Sequence, residues 1–152
     1  MDKTILAYIA GFIDGEGCIG LNKCNARKRF SYRLEVQVVQ VDKRPLEFIQ
    51  RHFGGSLSLT KRSEEEPKWH DVWHLVFADR SSERVLRAIL PYLINKREKA
   101  RMAIKYRELP HLNNIDNIKG MGEVSKARAR VFNQSIIERR KGIYNEFKAL
   151  VL

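Results

Sequence analysis

The chain has 152 residues, enough for one domain with a real core and a squeeze for two. Its 29 Lys and Arg against 18 Asp and Glu leave a formal charge of +11, which predicts attraction to polyanions such as nucleic acid or an anionic membrane surface. No apolar run approaches the roughly 20 residues of a membrane-spanning helix, the first residues lack the order of a secretory signal, and Cys18 and Cys24 are too few for a disulfide framework and lack zinc-site spacing. A soluble, intracellular protein with reduced thiols and no membrane partner is the expectation.

Residues 4–13 read as a helix capped by Asp2 or Thr4. Ala7, Gly11 and Gly15 recur every four residues and fall on one face of it. Such a stripe lets a second backbone approach closely, a contact that offsets the roughly 1 kcal/mol that Gly costs in a helix relative to Ala. The helix runs out in Asp14-Gly15-Glu16-Gly17, where two glycines permit a sharp exit and leave Glu16 at a helix C-terminus. That end is a poor place for an anion, because the last carbonyls carry partial negative charge. A divalent cation reverses the argument, since carboxylates, carbonyls and water are the ligands that Mg²⁺ takes.

Ile19 and Leu21 then alternate with Gly20, Asn22 and Cys24, a strand with its polar side on even numbers. A basic turn, Arg27-Lys28-Arg29, leads into the clearest strand, residues 29–41. Phe30, Tyr32, Leu34, Val36 and Val38 take one face, and Arg29, Ser31, Arg33, Glu35 and Gln37 take the other. A two-stranded ribbon of this kind can enter a major groove, where Arg pairs with guanine and Gln with adenine; a solvated outer face is the plainer alternative. Gln40 breaks the alternation, because its parity places it among the apolar residues, and local structure alone makes it a strand-end amide.

Residues 42–45 open a helix whose apolar face is Leu46, Phe48, Ile49 and Phe53, with Arg44 at its start and Gly54-Gly55 at its stop. Ser58 and Thr60 lie on the polar side of a third strand, 56–60. Residues 69–77 make a fourth, with ambiguous faces. Between them a loop carries Arg62 but also Glu64, Glu65 and Glu66, which are unwelcome near phosphate. His70 and His74 share a strand face; without a third ligand, packing or groove contacts outweigh a metal site.

Ser81 or Ser82 can cap a helix with Val85, Leu86, Ile89 and Leu90 inward, and Asn95 starts another over 96–109, ended by Pro110. Residues 111–122 read as a loop and 124–152 as a largely helical tail in which Gly142 is the candidate break. Strand pairs with intervening helices predict an α+β fold with an antiparallel sheet. From Lys96 onward, 14 basic and 6 acidic side chains hold +8 of the +11, so much of the nonspecific backbone attraction is expected from the last third.

Ile9-Ala10-Gly11-Phe12-Ile13-Asp14-Gly15-Glu16-Gly17 resembles the signature of the LAGLIDADG homing endonucleases. The order helix, hairpin, helix, hairpin, helix, helix is similar to that family's core, over about residues 4–109. With a basic helical extension at 123–152, the whole chain is expected to be one domain. The resemblance implies a saddle-shaped antiparallel sheet that meets double-stranded DNA through Asn22, Arg27, Lys28, Arg29, Ser31, Arg33, Glu35, Gln37, Arg44, Ser58, Thr60, Arg62 and His70.

The same resemblance places Glu16 where the family carries its metal-binding acid, with Gly15 beside it as a second metal contact. Gln40 matches a polar position that serves metal-bound water, and Lys96, in Asn95-Lys96-Arg97, matches a lysine by the scissile phosphate. Asp14 would hold the helix end. Mg²⁺, or another divalent cation such as Mn²⁺, is the implied cofactor, and 3′ overhangs the implied product. One motif supplies one Glu16 while a duplex has two strands to cut. The expected form is therefore a homodimer, packed along Ala7, Gly11 and Gly15, on a long and roughly palindromic site. The rival readings are an intron RNA splicing factor (maturase) and a non-cleaving DNA-binding regulator. Glu16, Gln40 and Lys96 together favour the enzyme, because a pure binder has no need for an acid at the centre of a polyanion.

Overall fold

A computed structural model describes the chain except at residues 27–28, 62–69, 111, 113–121 and 151–152; for residues 25–26 and 29–31 it describes the backbone alone. Arg27, Lys28, Arg62 and the acidic loop 64–66 lie outside the described residues, as do the side chains of Arg29 and Ser31.

Helix α1 (Lys3–Glu16) starts at Asp2, whose carboxylate accepts the Thr4 N–H at 2.7 Å. It runs three residues past the expected end at Ile13, straight through Gly15, and passes without a loop into β1 (Gly17–Ala26). The exit is set by Gly17 on steric grounds: a Cβ there would stand 2.8 Å from the Ile13 carbonyl oxygen, while its φ of −83° is ordinary.

Strand β1 pairs antiparallel with β2 (Arg29–Gln40), Gly17 opposite Val38 and Ala26 opposite Arg29. Then come α2 (Lys43–Phe53), β3 (Ser56–Thr60) and β4 (Val72–Ala78). The sheet order is β1-β2-β4-β3, all antiparallel. Because β4 lies between β2 and β3, its faces are no longer ambiguous. Leu75 and Phe77 fall on the buried side with Leu34, Val36 and Val38, and His74 and Val76 on the other.

Helices α3 (Arg80–Ile89), α4 (Arg97–Glu108) and α5 (Glu123–Ala149) complete the fold, with a 3₁₀ turn at Leu90–Tyr92. Neither Ser81 nor Ser82 caps α3. The Ser81 hydroxyl instead accepts the Ala78 N–H at 2.9 Å and donates to the Ala78 carbonyl at 2.8 Å, and Ser82 donates to the Leu34 carbonyl at 3.4 Å. The first turn of α3 is thereby fastened to the sheet, and Asp79 just before it has a φ of 48°. Nor does Gly142 divide the tail: α5 is continuous through it.

One sheet face is covered. Ile19, Leu21, Leu34, Val36, Val38, Leu75 and Phe77 form a single core with Ile9 and Ile13 of α1, Leu46 and Ile49 of α2, Leu86 and Ile89 of α3 and Ala103 of α4. Ile143 and Phe147 of α5 join it, and Tyr144 stacks on Tyr32 with centroids 4.3 Å apart. The half of α5 before Ile136 buries nothing, and Val131 and Phe132 there are exposed.

Candidate active site

The amphipathic pattern of α1 divides its surface cleanly. Ile9, Ala10, Ile13 and Asp14 are buried, whereas Ala7, Tyr8, Gly11, Gly15 and Glu16 are exposed. A Cβ built on Gly11 or Gly15 meets nothing within 4 Å, so the fold of one chain does not require glycine at either position. The stripe forms one wall of a shallow depression of about 510 Å³, lined by Ala7, Tyr8, Gly11, Phe12, Gly15, Glu16, Gln40 and Pro45. Glu16 and Gln40 thus come together, from the end of a helix and the end of a strand 24 residues apart. The Glu16 carboxylate makes no ion pair or hydrogen bond with any described residue, although it stands at the negative end of a helix.

Two residues earlier, Asp14 is bound tightly. Its carboxylate accepts three consecutive backbone N–H groups, Ile94 at 2.5 Å, Asn95 at 3.1 Å and Lys96 at 2.8 Å. Burial by itself raises its pKa, but the three N–H donors and the charge of Lys96 outweigh burial and hold the carboxyl below its ordinary range. Lys96 is buried at 6% exposure, and its ammonium donates to the Asp14 carbonyl. The C-terminal end of α1 and the N-terminal end of α4 are therefore clamped by reciprocal charged contacts, and Lys96, which does not line the depression that holds Glu16 and Gln40, meets the end of α1 through that clamp.

The open sheet face carries the other candidates. Asn22 lies opposite Arg33, Ser58 opposite His74 and Thr60 opposite Val72. Arg33 is half-exposed with Glu35 at 4.0 Å, and Gln37 Nε2 meets His74 Nδ1 at 2.9 Å. His74 thus belongs to this face through a partner on β2. His70 is exposed just before β4. Arg44 is elsewhere, at the start of α2, where it forks onto Asp42 at 2.6 to 3.0 Å beside Tyr8, Pro45 and Phe48. That pair raises the Arg44 pKa and lowers that of Asp42 through their hydrogen bonds, in an exposed setting. Among the described residues no cluster of three His, Cys, Asp or Glu is placed to hold a metal.

A helix that ends on an acid without a partner among the described residues, with an exposed small-residue stripe above it and a four-stranded antiparallel sheet beside it, agrees with the LAGLIDADG resemblance of residues 9–17. The chain belongs to the LAGLIDADG endonuclease family, whose model matches residues 9–97. No curated protein matches the sequence. Among solved structures, the fold is shared with the homing endonuclease I-CvuI, solved with the I-CreI target and Mg with the DNA not cleaved. That match has 18% identity and a TM-score of 0.59, over 98% of both chains. It is also shared with the archaeal intron-encoded homing endonuclease I-Vdi141I complexed with DNA, at 14% identity and a TM-score of 0.57, over 97% of this chain and 99% of that one. Meganuclease I-SmaMI bound to uncleavable DNA matches at 15% identity and a TM-score of 0.59, over 92% of this chain but 43% of its own longer chain.

Proposed function

We propose that the chain is a site-specific homing endonuclease that acts as a homodimer on a long, roughly palindromic duplex and hydrolyses one phosphodiester in each strand, leaving 3′ overhangs. The observation that carries this is Glu16: an exposed acid without a partner among the described residues, at the foot of an exposed Ala7, Gly11 and Gly15 stripe. Two stripes packed about a two-fold axis would bring two such acids together, one for each strand. Residues 1–152 would act as one domain, with the open sheet face along the duplex and Asn22, Arg33, Glu35 and Gln37 toward the bases.

The donors present suit a divalent cation. The Glu16 carboxylate is uncommitted, and the Gly15 carbonyl lies in the same last helical turn, so all the donors offered are oxygens. A bound Mg²⁺ or Mn²⁺ would supply an acidified water and neutralise charge on the phosphate. This chain's residues do the rest. Gln40, which lines the same depression as Glu16, would orient water by its amide. Lys96 sets positive charge against the helix end and favours the charge that develops on the phosphate. Asp14 holds the Lys96 backbone in place.

The test is cleavage and equilibrium binding on one target, with Mg²⁺ and then Ca²⁺. Glu16→Gln keeps the shape and removes the charge, so cleavage should fall by roughly two orders of magnitude or more, while affinity without metal holds or rises. Lys96→Ala should slow cleavage with less effect on affinity. A Glu16→Gln protein that cuts as fast as the parent would sink the assignment. A parent that cuts no duplex containing its preferred site would leave the splicing factor or the regulator.

A further inference from the structure

A concavity of about 550 Å³ lies away from α1, at the sheet edge where the β1–β2 hairpin runs past the end of β4. Strand β4 pairs with β2 only from Glu35 to Gln40, and the overhang leaves room beneath the hairpin. Arginines from four separate elements line it: Arg33 of β2, Arg80 of α3, Arg107 of α4 and Arg140 of α5.

These four are not equally paired. Arg107 meets Asp79 and Glu83, each at 3.4 Å, and Arg33 has Glu35 only at 4.0 Å. Arg80 makes no hydrogen bond or ion pair with any described residue. Arg140 donates Nη2 to the Pro110 carbonyl at 3.2 Å and stands 5.6 Å from the Tyr106 ring centroid, and its Nε–H is buried without an acceptor among the described residues. A buried charged donor without an acceptor is uncommon enough to require a cause. Planar guanidinium forks match the oxygens of a phosphate, and Arg80, Arg140 and Arg33, whose nearest acid oxygen is beyond hydrogen-bond reach, have donors to spare.

We propose that Arg80 and Arg140, with Arg33 at the mouth, seat one phosphate of the bound duplex backbone at the rim of the open sheet face. The assignment rests on the DNA-binding reading above. Arg33 supplies the link, because it lines the pocket and also stands on the open face opposite Asn22. The contact would set register along the duplex and carry no base preference.

Affinity is to be measured against salt for the preferred duplex and a scrambled one, using the parent, Arg80→Ala, Arg140→Ala and the control Arg101→Ala. Arg101 pairs with Glu98 on α4, outside the pocket. Each pocket variant should flatten the log–log salt slope, by no more than the roughly 0.9 that one phosphate contributes, and weaken both duplexes equally, by several-fold, while the control leaves the slope unchanged. Arg80 is exposed, so its variant should keep the parent melting temperature even if Arg140→Ala loosens α5. A parent slope retained in Arg80→Ala, or an equal loss in the control, overturns the proposal. A second arm adds inorganic phosphate without DNA. If phosphate raises the melting temperature of the parent and not of Arg80→Ala, while the DNA slopes stay equal, the pocket takes a free anion and the backbone assignment is wrong. A parent that shows no salt-dependent duplex binding defeats the DNA-binding reading itself, and the phosphate arm still reports on the pocket.

Discussion

Asp14 and Glu16 are two acids two residues apart with opposite surroundings. Asp14 is buried on three N–H donors, and Glu16 is exposed with no partner among the described residues. A hydrogen bond to a charged group contributes about 1.5–3 kcal/mol, so Asp14→Asn should destabilise the chain by that order at neutral pH. The sign with pH follows from the lowered folded-state value. The stabilisation is complete above the unfolded carboxyl range near pH 4 and is lost as pH falls through the lower folded value. Thermal melts from neutral to acid should show the parent losing this contribution and Asp14→Asn following a flatter curve from a lower start. Parallel curves would show that the clamp is energetically idle.

At the scale of the element, α1 and α5 each carry a glycine with open space around it, Gly11 and Gly142. In an isolated chain both should behave alike, with Ala at either position more favourable by roughly 0.5–1 kcal/mol through helix propensity. They are expected to differ if α1 meets a second α1. Gly142→Ala should raise the melting temperature and leave assembly unchanged, whereas Gly11→Leu should fold but sediment as a monomer and lose cleavage. A parent that is itself monomeric, with and without DNA, would remove the homodimer. The comparison works because Gly11 and Gly142 have open space around them, unlike Gly17, whose Cβ would strike the Ile13 carbonyl.

For the molecule as a whole, the basic last third is also structural. Phe147 is 3% exposed and Ile143 6%, both in the core shared with the sheet, and Tyr144 stacks on Tyr32 with the Lys23 and Lys148 ammonium groups 5.3 and 5.8 Å from its ring centroid. Phe147→Ala should therefore cost about 3 kcal/mol or more, read as a fall in denaturation midpoint for the entire chain. If α5 were an independent appendage, the change would leave the main transition where it was. The surplus of +11 is thus carried partly on an element that the core holds in place, which orients the positive field instead of leaving it on a loose tail.

The sequence by itself determined what depends on neighbours along the chain. The 3.6-residue period of α1 and α2 and the two-residue alternation of β2 state which side chains face inward. Tyr32, Leu34, Val36 and Val38 are buried as their parity requires. The family motif is legible in the sequence because its residues, 9–17, are contiguous. Tertiary structure decided what joins distant segments. Strand β4 inserts between β2 and β3, which resolves the faces around Trp73 to Phe77 that local pattern left open. Asp14 meets Ile94, Asn95 and Lys96 some 80 residues away, and the lysine expected beside the scissile phosphate is one arm of that clamp. Arg33, Arg80, Arg107 and Arg140 share no period or spacing, and only the packing of four elements brings them to one pocket. Periodicity encodes the direction of a side chain relative to its own backbone, whereas the partner it meets is fixed by how whole elements pack, and no short stretch of residues contains that information.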